Sequence, residues 1–124
     1  MYAAAHGNQR VFLSGVFLGP GKPIAVAETA WIAERLEVPA FAVDVMANAQ
    51  DQADYVAELF AEAEALDAEF VVWWALVDFD ALWNGALGQD PIARIWRDTG
   101  LFDESLNPRP ALDAWQQQLA LPQP

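Results

Sequence analysis

The chain has 124 residues, the length of one domain with a core of its own, and 55% hydrophobic with 12% aromatic residues excludes a disordered polymer. Six Lys and Arg stand against 18 Asp and Glu, a net charge of −12, and no basic cluster exists to neutralise a phosphate backbone. Nucleic acid is therefore excluded as a partner, neutral or cationic ligands are favoured, and the absence of cysteine removes disulfides and thiolate metal sites.

Residues 1–21 read as an N-terminal segment, the end of a preceding helix, with an apolar run at 9–18 that periodicity alone does not assign to helix or strand. Met1 to Gly21 lacks the basic start and unbroken apolar stretch of a signal peptide. A cytoplasmic address follows if Met1 is the true start, and secretion stays open if the chain belongs to a longer one. No apolar run reaches membrane-spanning length, so no membrane partner is expected. Gly19-Pro20-Gly21 is a break, and residues 22–124 form the main portion.

Ile24 to Ala27 is short and apolar on both faces, as a buried strand of a parallel sheet is, and Glu28 closes it. Residues 29–50 read as a long connection with one turn of helix near Trp31 to Leu36. The spacing of Val56, Leu59, Phe60, Ala63 and Leu66 predicts a helix over 51–66 with Asp51 as its N-cap. Phe70 to Leu76 is a second buried strand, followed by the acidic, polar stretch Asp78 to Gly88. Asp90-Pro91 opens a short helix with Ile92, Ile95 and Trp96 on its apolar face. Asn107-Pro108 opens the last helix, lined by Leu112, Trp115 and Leu119 and stopped by Pro122. The order is βαβα, an α/β pattern.

Ligands of parallel α/β sheets sit at the carboxyl ends of strands, where Glu28 falls. A carboxylate there can attack an anomeric carbon or act as a base; the plainer alternative is a cap for backbone amides or a partner for an Arg. Trp73 and Trp74 point to opposite faces of their strand. With Val72 and Leu76 on its side, Trp74 faces inward near the strand's end and Trp73 lies outward under a helix. An inward Trp can stack beneath a sugar ring, although a core role is the commoner one for either residue. Asp78 and Asp80 can bind sugar hydroxyls or a cation, or serve as solvated loop acids; two carboxylates alone are an incomplete oxygen cage, and no metal is expected. His6, the single histidine, has no triad signal around it, and Gly19-Pro20-Gly21-Lys22 lacks phosphate-loop spacing.

Lys22-Pro23-Ile24-Ala25-Val26-Ala27-Glu28-Thr29-Ala30-Trp31 resembles the seventh strand of the large clan of retaining (β/α)8 glycoside hydrolases, which typically ends in the nucleophilic Glu. Phe70 to Asp80 resembles the eighth strand, which often carries the Trp floor of the sugar subsite. Gly100-Leu101-Phe102-Asp103 through Pro108-Arg109-Pro110-Ala111-Leu112-Asp113-Ala114-Trp115 is similar to the ending of these enzymes. The resemblance implies a partial TIM barrel, the C-terminal βαβα segment of an α/β enzyme acting on a polysaccharide or oligosaccharide. It implies Glu28 as nucleophile, with Trp74, Trp31 and Asp78 as substrate-binding residues and no cofactor. Endo-galactanase-like and cellulase-like members are nearest in flavour. The clan's acid/base Glu ends the fourth strand, which this chain does not contain, so the chain alone is expected to be inactive. A non-catalytic carbohydrate-binding module and a self-assembling α/β module are the rival readings. Partners implied are a carbohydrate, a second copy of the chain, or the remaining part of a barrel.

Overall fold

The computed structural model describes residues 22–122. The readings made for 1–21, including the apolar run at 9–18 and His6, lie outside the described residues. In chain order the elements are β1 (Ile24–Thr29), β2 (Leu36–Val38), a 3-10 turn (Pro39–Phe41), β3 (Val43–Val45), α1 (Ala49–Ala65), β4 (Ala68–Trp73), α2 (Asp80–Asn84), α3 (Arg94–Arg97) and α4 (Pro110–Leu119). The chain is a mixed α/β protein with two small sheets among its described residues: β1 pairs with β4, and β2 with β3.

β1 and β4 run parallel, and α1 belongs to the long crossover that a parallel pair requires. Their partners are Ile24 with Ala68, Val26 with Val71 and Thr29 with Trp73, with an irregularity in each interval. Those irregularities break strict alternation along β1, so Val26 and Thr29 are buried while both Ala27 and Glu28 are exposed. The pairing continues past β4, where the Trp74 amide donates to the Thr29 carbonyl at 2.9 Å. The chain then meets the segment before α4: the Phe102 amide donates to the Leu76 carbonyl at 2.9 Å, and the Asp78 amide to the Phe102 carbonyl at 3.1 Å.

Helices cover one face of the β1/β4 pair. Tyr55 and Leu59 of α1 pack on Val26, with Val71, Trp73 and Trp115 around them. Val56 joins Leu101 and Ala111 in the adjoining cluster, bordered by Phe60, Phe102 and Leu112. The other face is left apolar and open: Phe70, Val72, Trp74 and Leu76 are between 45% and 62% exposed.

Several sequence expectations change in detail. The stretch 29–50 holds no helical turn near Trp31; it contains the antiparallel β2–β3 hairpin, which pairs Leu36 with Val45, Glu37 with Asp44 and Val38 with Val43. Asn48, not Asp51, caps α1. Its side chain accepts from the Gln50 and Asp51 amides, and the Asp51 carboxylate returns a bond to the Asn48 amide, closing a capping box. Leu66 is a half-exposed C-cap rather than a core residue. Asp78 to Gly88 is not all loop, since α2 lies inside it. Asp90 does accept from the Ile92 and Ala93 amides at 2.9 Å, but the regular helix beyond it is only Arg94–Arg97. The last helix starts at Pro110, because Asn107 is engaged by Asp103 instead of capping it. No described helix is long and apolar enough to cross a membrane.

Candidate functional site

Neighbouring strand residues point to opposite faces, and this sorts the four expected site residues into two groups. At the carboxyl end of β1, Thr29 turns inward, its hydroxyl 2.5 Å from the Tyr55 hydroxyl of α1. Glu28 therefore faces the open side of the sheet, where its side chain is exposed and has no hydrogen-bond or ion-pair partner among the described residues. At the same end of β4, Trp73 turns to the helix-covered face, as expected, and its indole N–H donates to the Thr99 carbonyl at 2.9 Å. Trp74 lies on the open side, tilted against Trp96 with ring centroids 5.5 Å apart. Glu28 and Trp74 thus share one face and one end of the parallel pair.

Trp31 and Asp78 do not join them. Trp31 stacks on Tyr55 at 5.4 Å with an interplanar angle of 15°, and the two rings border the clusters beneath β1 and the hairpin. Asp78 is buried, and its carboxylate is committed. Arg109 grips it with both guanidinium nitrogens, at 2.8 Å to Oδ1 and 2.6 Å to Oδ2, and the Gly100 amide donates to Oδ1 at 2.7 Å. Gly100 is required there, because a Cβ would lie 2.5 Å from the Asp78 amide nitrogen and 2.7 Å from Oδ1. Burial pushes the Asp78 carboxyl up, while the bonds from Arg109 and Gly100 pull against it.

Asp78 is the centre of an ionic network. Arg109 also donates to Glu34 at 3.1 Å and to the Gly100 carbonyl at 3.0 Å. Asp98, equally buried, accepts from Arg94 at 2.5 Å and from Arg97 at 2.7 Å, and Arg97 reaches Asp80 at 3.1 Å. Desolvation, with Asp98 adding repulsion, raises the Glu34 carboxyl; desolvation also raises Asp80, against the pull of Arg97. Two carboxylate triads, Glu34/Asp78/Glu104 and Asp78/Asp80/Asp98, each gather oxygens within 4.8 Å. Arginines already occupy the oxygens of Asp78 and Asp98, so the arrangement is an ion-pair lattice and not an oxygen cage for a cation.

The residues that the sequence did not single out are those joining the loops. Gln52, fully buried on α1, donates from Nε2 to the Trp31 carbonyl at 3.0 Å and the Gly100 carbonyl at 3.1 Å. Its only sequence signal is a polar residue one turn before Val56 on the buried stripe. Glu34 and Asp98 carry no such signal, since exposed acids abound in a chain with 18 of them. Chemically, the open side offers an exposed carboxylate on β1 and a flat ring just beyond the end of β4. The inner side offers a closed ionic scaffold that holds the strand ends in place. Comparison with family models, curated proteins and solved structures finds no match to the chain.

Proposed function

We propose that the chain is the C-terminal part of a retaining (β/α)8 glycoside hydrolase, with Glu28 as the nucleophile that attacks the anomeric carbon of a polysaccharide or oligosaccharide. The observation that carries this reading is the placement of Glu28 and Trp74 on one open face, at the carboxyl ends of a parallel strand pair. Among the described residues the Glu28 side chain has no competing partner, and Trp74 supplies a ring on which a sugar can stack. Helices on the opposite face and an apolar open face agree with two βα units whose neighbours are elsewhere. The acid/base carboxylate would come from those neighbours, since retaining hydrolysis needs two carboxyl groups about 5–5.5 Å apart. Glu34, Asp78, Asp80 and Asp98 are paired with arginines and are not free to act as that mate.

Two assays on the purified chain test this reading. Aryl glycosides are expected to show no turnover; hydrolysis that disappears in Glu28→Gln would overturn the need for a second carboxylate from outside. Glycan binding separates the rival reading of a non-catalytic carbohydrate-binding module. Binding that survives Glu28→Ala and fails with Trp74→Ala would favour that module over an enzyme part. The self-assembling reading draws on the open sheet face itself, and sedimentation tests it below.

A further inference from the structure

A cavity of about 350 Å³ lies between the β2–β3 hairpin, the Ala30–Ile32 segment and α3. Ile32, Leu36, Val43, Val45, Ile95 and Trp96 line it, and no charged side chain reaches it. Thr99 is the polar residue of the lining, but its hydroxyl is already spent on the Trp96 carbonyl at 2.8 Å. Ile95 of α3 and Val43 and Val45 of the hairpin pack against the buried Ile32 and Leu36 at its base, and bonds around the rim tie the same elements together. Ala33 donates to the Asp98 carbonyl at 2.9 Å, and Arg94 donates to the Arg35 carbonyl at 3.1 Å, tying the hairpin's base to α3. On the outer side, Arg35 makes two bonds of 2.9 Å to Asp44 and clamps the two hairpin strands together. The pocket is open to solvent on one side, and its lining lacks dispersion partners there. Apolar cavities admit nonpolar molecules more readily than water, and this one falls within the usual size range of ligand pockets.

We infer that this cavity is a binding site for a small uncharged aromatic or alicyclic molecule. The lining offers no counter-charge, and the net charge of −12 repels anions, so the ligand is neutral. The Trp96 ring supplies a flat apolar wall, which favours a planar ligand. Glu28 is not in its lining, although Trp31 is and Trp96 also meets Trp74; the inference does not depend on the hydrolase reading.

The test is titration of the full chain with N-phenyl-1-naphthylamine, a neutral fluorescent aromatic. Saturable one-site enhancement is expected, and Val43→Trp or Ile95→Trp, which fill the cavity from opposite walls, should weaken it at least tenfold while circular dichroism stays unchanged. Val72→Glu, on the open sheet face, should leave binding as it was. Nuclear Overhauser contacts from the probe to the Val43, Val45 and Ile95 methyls of the unaltered chain give the same answer if a filling variant fails to fold. No saturable binding, undiminished binding by a folded filling variant, loss of binding in Val72→Glu, or contacts confined to Val72 and Leu76 would each overturn the inference. The first of these includes the case in which another part of the chain already fills the cavity.

Discussion

Asp78 and Arg109 form the most demanding interaction at the residue scale. Their side chains are 0% and 7% exposed, so neither charge has water to fall back on. Removing one partner of such a pair typically costs about 3–5 kcal/mol, because the other charge is left buried. Arg109→Ala is expected to show a loss of that order in urea unfolding, and Arg109→Lys a loss as well, since a single ammonium cannot reproduce the bidentate fork. A loss below about 1 kcal/mol for Arg109→Ala is the behaviour of an exposed pair and would contradict the buried geometry. The carboxyls of Glu34 and Asp80 provide a pH test. Both are raised, chiefly by desolvation, from ordinary values of 4.5 and 3.8. The folded chain therefore binds more protons than the unfolded chain between those values and the raised ones, and stability falls as pH rises through that window. Lowering the pH from 7 towards 4.5 should accordingly raise the thermal midpoint, with a smaller rise in Glu34→Gln than in Glu62→Gln, which removes an equal charge from the exposed side of α1. Equal slopes in the two variants would count against desolvation at Glu34. Glu28 was legible in the sequence because it closes an apolar run. The commitment of Asp78 was not, because its partner lies 31 positions further along the chain.

At the element scale, α1 carries the fold. Its buried residues Val56, Leu59 and Ala63 recur at helical spacing and were readable as such. Its start was not, since Asn48 and Asp51 are both good caps and only the reciprocal bonds decide between them. Asn48→Ala should destabilise the chain by about 1 kcal/mol, seen as a lower urea midpoint with an unchanged slope. An unchanged midpoint would mean that the capping box does not persist in solution. The β2–β3 hairpin escaped notice because each strand has three residues, too few for a pattern, although Leu36-Glu37-Val38 and Val43-Asp44-Val45 do alternate. The start of α4 shifted by two residues from Pro108 because Asp103 accepts from the Asn107 amide and side chain, both at 2.8 Å, and so draws Asn107 away from a capping role.

At the scale of the whole molecule, the α/β class and the succession β1, α1, β4 were legible, because a parallel pair needs a crossover long enough for a helix. The chain's surroundings were not, and they decide the fate of its open face. Phe70, Val72, Trp74 and Leu76 present an apolar surface beside strand edges unpaired among the described residues, which favours association. Sedimentation of the isolated chain should show concentration-dependent assembly, reduced by Val72→Glu together with Leu76→Glu; a monomer at every concentration would show that the face is covered or tolerated. The central claim, that Glu28 is the nucleophile of a barrel whose other carboxylate lies outside this chain, is tested most directly by reading the coding DNA upstream of Met1. The expected result is an open frame of roughly 150–200 further codons, with the remaining βα units and a strand that ends in Glu. A stop codon and a ribosome-binding site immediately before Met1 would contradict it, leaving binding or assembly as the chain's role.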